Sequence, residues 1–389
     1  MMDKTYSKST SFLAQFAIFV MVPVFFCYQA LAQVEVIYPF LRGYYTYAMI
    51  ITFPAVLYVF CAVSGAKVFY VARSIWFFWV FMIFFFCLSL YSVFAFVDKD
   101  ISNYISLSFF RYFFMFLFAF SFAAAGKGFV RGLVAFVMGF SVWVLISSFG
   151  GPFVNPAFYY EGYLFEFDYQ QVAFSYLLVS VFLLPGMSVR LRVLYYVVVF
   201  PALYFIGARS EFFAFVFLFL LLECIYSRWF LALILASASL SLVVLAALDD
   251  LSFLKGFRMF SIFFENADMS YDARDTFAMR SFESLNTHPL LGAFGSHASG
   301  EYAHNIFAVW VDMGLVGFIT FISMLLVPLC SLCFFYYRNA GESGWVRSFL
   351  FLVVTIFLVL VAKTYTYSLV PIALAAYCIF KLNRVESAV

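Results

Sequence analysis

Charge is what this sequence has least of. Asp, Glu, Lys and Arg together make up 11% of its 389 residues, against about 25% in soluble domains. With 66% hydrophobic residues, the chain cannot cover a water-facing surface and reads as an integral membrane protein. It has no Lys/Arg run, and its formal net charge is +2, so nothing points to nucleic acid. Histidine is rarer still, with three in the whole chain. Seven cysteines, Cys27, Cys61, Cys87, Cys224, Cys330, Cys333 and Cys378, all sit in apolar runs, so no disulfide is expected in a polar loop. Cys330 and Cys333 have CxxC spacing, but inside a membrane segment. HExxH, a phosphate-binding glycine loop and a Gly-x-Ser-x-Gly elbow are all missing. The three histidines do not have the spacing of a zinc site. No metal and no other cofactor is called for.

What the chain does have is phenylalanine, 60 of them. We read these as AT-rich codon usage filling lipid-facing positions. A membrane span needs about 20 apolar residues. That ruler gives about twelve spans, near 11–32, 45–64, 75–97, 105–125, 129–148, 169–185, 192–207, 211–226, 229–247, 304–327, 347–362 and 365–380. The expected fold class is therefore an all-α polytopic membrane protein, with 1–389 forming a single integral membrane domain. The first run follows Lys4 and Lys8; it is too long for a signal-peptide core and lacks a cleavage site, so it is read as a span.

Placing the N-terminus in the cytoplasm puts Lys67, Arg73, Lys127, Arg131, Arg190, Arg192, Arg228, Arg338 and Arg347 in cytoplasmic connections, with Lys381 and Arg384 at a cytoplasmic C-terminus. Two outer loops follow: a shorter one at 149–168 and a long, partly helical one at 249–303. Within the latter, 272–286 sets Phe277, Phe282 and Leu285 among charges. That pattern suits an amphipathic helix on the membrane surface.

The long outer loop and the start of the next span hold all three histidines, His288, His297 and His304. Titratable groups concentrated in an apolar chain point to chemistry. Basic residues also remain on the side that the positive-inside rule leaves poor in them, including Arg42, Arg111, Arg209, Arg258, Arg274, Arg280 and Lys363. Arg111 lies inside an apolar run, about 9 Å below the outer edge if its span starts near residue 105. Arg209 occupies the turn Gly207-Ala208-Arg209-Ser210-Glu211 between two spans. A guanidinium fork suits phosphate, although interfacial snorkelling or pairing with Glu211 or Asp275 would also account for one such arginine. A histidine at such a place can serve as general base near neutral pH, or simply as a hydrogen-bonding loop residue. Asp312 follows two turns after His304. The helix over 304–335 would be about 48 Å long, longer than the bilayer core, and a break at Pro328 would relieve this. Gly314 and Gly317 would let another helix pack close.

Several of these motifs resemble those of a known family. Ala303-His304-Asn305, an apolar stretch, and Gly314-Leu315-Val316-Gly317 are similar to the signature of the bacterial O-antigen ligase and O-antigen polymerase superfamily. Arg274, followed by His288-Pro289-Leu290-Leu291-Gly292-Ala293-Phe294-Gly295, resembles its Arg…Pro-Leu-x-Gly-x-Gly pattern, and Gly207-Ala208-Arg209-Ser210 resembles its Gly-x-Arg-Ser turn. The likeness covers about residues 200 to 320. The stretch between Asn305 and Gly314 is one residue shorter than is usual in the family.

The resemblance implies a GT-C-like, metal-independent, inverting glycosyltransferase of the inner membrane, with both termini cytoplasmic and its active site periplasmic. The donor would be an undecaprenyl-pyrophosphate-linked oligosaccharide. His304 would be catalytic, orienting or deprotonating the acceptor hydroxyl, and Arg209 and Arg274 would hold the pyrophosphate. Arg280, Arg111 and Asn305 are further candidate substrate-binding residues. The acceptor would be a glycan repeat unit or lipid A–core, and a chain-length regulator is a conceivable partner. The shortened spacing and phenylalanine-rich composition suit a divergent polymerase. The alternatives are a ligase and, from another class, a polysaccharide flippase or transporter. A transporter predicts charges at mid-bilayer in several helices and no long outer loop.

Overall fold

The computed structural model describes residues 6–33, 36, 44–94, 99–148, 158–160, 163–165, 168–227, 279–281, 283, 285–294, 305–334 and 342–387. Nearly all of them are helical. The helices are α1 (Lys8–Gln33), α2 (Tyr44–Ser74), α3 (Trp76–Phe94), α4 (Lys99–Ala124), α5 (Lys127–Ser147), α6 (Tyr169–Gly186), α7 (Val189–Ile206), α8 (Arg209–Tyr226), α9 (Phe307–Phe334), α10 (Ser343–Val361) and α11 (Leu369–Ser387). A two-strand antiparallel hairpin, Phe158–Tyr160 with Tyr163–Phe165, lies between α5 and α6.

Among the described residues, nine helices are long and apolar enough to cross a membrane. The chain is a helical, multi-pass membrane protein. Helices α8 and α11 stand apart because each carries more charge, Arg209, Glu211 and Glu223 in one and Lys381, Arg384 and Glu386 in the other. The expected span at 229–247 lies outside the described residues.

The described residues form two compact units. One holds those up to 18, 46–127 and from 279 onward; the other holds 19–45 and 128–227. In the first unit α4 packs against α3 and α11, α3 against α9, and α10 against both α9 and α11. Its interior is aromatic. Phe78, Phe81, Phe85, Phe114 and Phe116 are fully buried, and Tyr112 meets Phe81 and Phe85 at ring-centroid distances of 6.0 and 5.7 Å. This corrects the reading of phenylalanine as lipid-facing filler. Exposed rings such as Phe69 and Phe94 fit that reading, but much of the core is also phenylalanine, because stacked and edge-on rings fill the space between helices densely.

In the second unit α6, α7 and α8 pack together. Gly207, at φ 78°, ends α7, and α8 starts two residues later. A left-handed residue turns the chain at once, and glycine adopts it without a Cβ clash. In α1 the chain passes Pro23 through a π-helical stretch, Val20–Val24. A wider turn accommodates the missing amide of proline.

Three expectations need correction. Helix α9 begins at Phe307, not at residue 304, and its break falls at Gly314 (φ 68°, ψ −174°), while Pro328 is buried inside continuous helix. The reason is steric: a positive φ followed by an extended ψ is open to glycine, whereas proline can be held within a helix when neighbours absorb its effects. Arg192 and Arg347, counted above as charges of cytoplasmic connections, are both buried within helices. For Arg192 the cause is a buried carboxylate, described below.

Candidate functional site

The break in α9 is occupied by another part of the chain. In an uninterrupted helix the amide of Leu315 would donate to the carbonyl of Val311. Here the two are parted. Leu315 N donates to the carbonyls of Pro289 and Leu290, each at 3.2 Å, and Val311 O accepts from Ala293 N at 2.6 Å. The turn after His288 is thus spliced into the hydrogen-bond ladder of α9. Trp310 Nε1 adds a bond to Pro289 O at 2.8 Å, and Gly292 N closes the turn on His288 O at 3.1 Å.

Two glycines make this close approach possible. A Cβ on Gly292 (φ 76°) would lie 2.6 Å from both Gly314 N and Val311 O, and a Cβ on Gly314 would run into Leu290 O. Gly314 therefore admits the backbone of 289–292, where a partner helix had been expected.

This interlock joins two sets of candidate residues. Upstream are the helical residues 279–281, 283 and 285–287, where Arg280 is exposed and Ser281 and Leu285 turn inward. They fall within the expected amphipathic helix at 272–286, of which Phe277 and Phe282 lie outside the described residues. Downstream is Asn305, whose Oδ1 accepts from Phe307 N at 3.0 Å and caps α9. His288 is exposed, with Nδ1 3.0 Å from Thr287 Oγ1. His297, His304, Arg274, Arg42 and Arg258, and most of 249–303 and 149–168, lie outside the described residues.

Within the opened turn of α9, Asp312 accepts a hydrogen bond from Tyr365 Oη at 2.8 Å. Tyr365 belongs to the turn between α10 and α11. Burial first, and then the nearby Asp312 carboxylate, push its phenol well above its ordinary pKa, so it stays a donor. The same turn carries Thr364 and Thr366, and Thr366 meets Tyr104 Oη at 2.9 Å. Lys363 Nζ lies 5.2 Å from the ring of Tyr367. Helix α4 begins at Lys99, six residues before the expected start, and carries Arg111 in its middle. The Nε of Arg111 is buried and has no hydrogen-bond partner among the described residues, and neither has the Tyr112 hydroxyl. The sequence had singled out Arg111, but not Tyr112 or Tyr365. The only signal for those two was a tyrosine in an apolar stretch, which this chain repeats many times.

In the second unit, Arg209 is the first residue of α8, directly after the Gly207–Ala208 turn. Beside it Glu211 is buried, and its Oε2 accepts from Ser210 Oγ at 2.8 Å. The opposite ends of α7 and α8 are tied by a pair the sequence reading missed. Arg192 donates to both oxygens of Glu223, Nε to Oε1 at 2.7 Å and Nη2 to Oε2 at 3.0 Å. Arg192 Nη1 reaches Met187 O at 3.1 Å, and Tyr196 Oη donates to Glu223 Oε1 at 2.9 Å. A glutamate within an apolar helix was the available signal.

Against this geometry, no protein-family model matches the chain, and no curated protein matches it.

Proposed function

We propose that the protein is a glycan polymerase of surface polysaccharide, an inverting glycosyltransferase that uses a polyprenyl-pyrophosphate-linked donor at the periplasmic face of the inner membrane. The observation that supports this reading is the interlock of Gly292 with Gly314. These glycines come from two of the three motifs on which the resemblance rests, and each makes room for the other's backbone.

In this reading His304 accepts the proton of the acceptor hydroxyl. The acceptor oxygen then forms a bond to the anomeric carbon of the donor from the side opposite the leaving group. The bond from that carbon to the pyrophosphate oxygen breaks, and polyprenyl pyrophosphate departs with the electron pair. Arg209 and Arg274 offer guanidinium forks to the pyrophosphate. Arg280 and Arg111 are further phosphate-binding candidates, and Asn305 holds the helix that follows His304. About twelve spans and a GT-C-like arrangement belong to the same proposal.

The test is transfer in proteoliposomes that hold undecaprenyl-pyrophosphate-linked repeat units. The parent should lengthen the glycan, and His304→Ala and Arg209→Ala should each lose that activity while keeping the parent's chromatographic profile. Full turnover in both variants would overturn the assignment. Deleting the gene separates polymerase from ligase. A polymerase loss leaves lipid A–core with a single repeat, whereas a ligase loss leaves bare core and polymer on the carrier lipid.

A further inference from the structure

The turn that splices into α9 presents two leucines outward. Leu290 is 64% exposed and Leu291 is 89% exposed. Their backbone is rigidly held. The carbonyls of Pro289 and Leu290 accept from α9, and the amides of Gly292 and Ala293 donate to His288 O and to the vacated Val311 O. Irregular backbone enters a bilayer only where such groups are taken up by protein, and this turn meets that requirement at the groups named.

Its level along α9 is also informative. The exposed large apolar residues of α9 are Val316, Ile319, Leu326, Val327 and Phe334, with Cys330 and Cys333 exposed among them. Val316 to Phe334 covers about 27 Å at 1.5 Å per residue, close to the thickness of a hydrocarbon core of about 30 Å. Val316 therefore marks one edge of the lipid-facing surface of α9, and it follows Leu315, the residue whose amide holds Pro289 and Leu290. Trp310 sits on the far side of the break and donates its indole N–H to the turn. Tryptophan prefers the membrane–water boundary.

We propose that the Pro289–Gly292 turn is a membrane wedge, with Leu290 and Leu291 immersed in bilayer lipid at the edge of the hydrocarbon region, continuous with the lipid-facing surface of α9. The wedge pins the helical residues 279–281, 283 and 285–287 to the membrane boundary. The inference rests on the membrane character of the helices and is independent of the transferase reading.

The test is a nitroxide label on Leu291→Cys, repeated on Leu290→Cys, in the full chain in lipid nanodiscs with the seven native cysteines replaced by alanine. Asn286→Cys, at an exposed position in the helical stretch, is the reference. Oxygen partitions into lipid, whereas a neutral nickel chelate stays in water. Collision with oxygen and loss of collision with the chelate at 290 and 291, with collision by the chelate retained at 286, is the expected result. Collision with the chelate at all three positions would overturn the wedge by placing the turn in water. Loss of both collisions at 290 and 291 would also overturn it, by showing that protein covers the leucines.

Discussion

Two arginines in apolar helices have opposite surroundings. Arg192, near the start of α7, is buried and answered in full, with both carboxylate oxygens of Glu223, a backbone carbonyl at Met187, and the ring of Tyr226 at 5.1 Å. Arg111, in the middle of α4, keeps a buried Nε with no hydrogen-bond partner among the described residues. Taking a charge out of water is costly unless it is paired. The first arginine is explained by the fold. The second has no partner at its Nε among the described residues, and this keeps it a candidate for a ligand. An arginine in a membrane helix thus gains functional meaning only after its carboxylates have been sought.

That contrast can be broken in order of size. Arg192→Ala leaves Glu223 charged and buried, and should cost about 3–5 kcal/mol of stability, read as a fall in the thermal unfolding midpoint in detergent. Replacing the pair together, as Arg192→Met with Glu223→Leu, should restore most of the loss. A single variant as stable as the parent would mean that the pair holds nothing together.

Next in size is the interlock. Gly314→Ala puts a Cβ against Leu290 O at a positive φ and should cost about 1–3 kcal/mol. Gly292→Ala should behave alike, because its Cβ meets the same joint from the other side. Gly139→Ala in α5 has open space around it and should lose nothing. If all three glycine variants unfolded together, the splice would not be the cause.

Smaller again is Tyr365→Phe, which removes the donor to Asp312 and should cost about 1 kcal/mol in the same unfolding measurement. The smallest loss of stability belongs to Arg111→Met, about 0 kcal/mol or a slight gain, because it removes a partly buried charge whose Nε has no hydrogen-bond partner among the described residues. This variant sharpens the comparison through a second readout: transfer in proteoliposomes should fall while stability holds. An Arg111→Met protein that unfolds as readily as Arg192→Ala would place Arg111 among the structural arginines.

The helices were legible because each needs only a run of apolar residues of the right length. The turn at Gly207 and Ala208 was legible because a glycine followed by polar residues between two such runs leaves few alternatives. The break in α9 was not. Pro328 was the breaker in view and Gly314 a packing position, but the break fell at Gly314 because a distant turn, 289–292, competes there for the helix's own hydrogen bonds. Nor could the sequence separate the phenylalanines of the core from those facing lipid, since both faces of a membrane helix are apolar and no polar stripe marks the inner one. Arg192 was misread for a related reason. Counting positive charge along the chain does not see a glutamate 31 positions away that neutralises it.

By itself, then, the sequence determined the solvent in which this protein folds. Continuous apolar runs of about 20 residues can satisfy their backbone in a bilayer only as helices, because the strands of a membrane barrel are shorter and alternate apolar with polar residues. Tertiary structure decided which polar groups answer one another: Arg192 with Glu223, Asp312 with Tyr365, and the turn after His288 with the opened ladder of α9. Those pairings depend on distances of about 3 Å between residues far apart in the chain, and no local pattern carries that information.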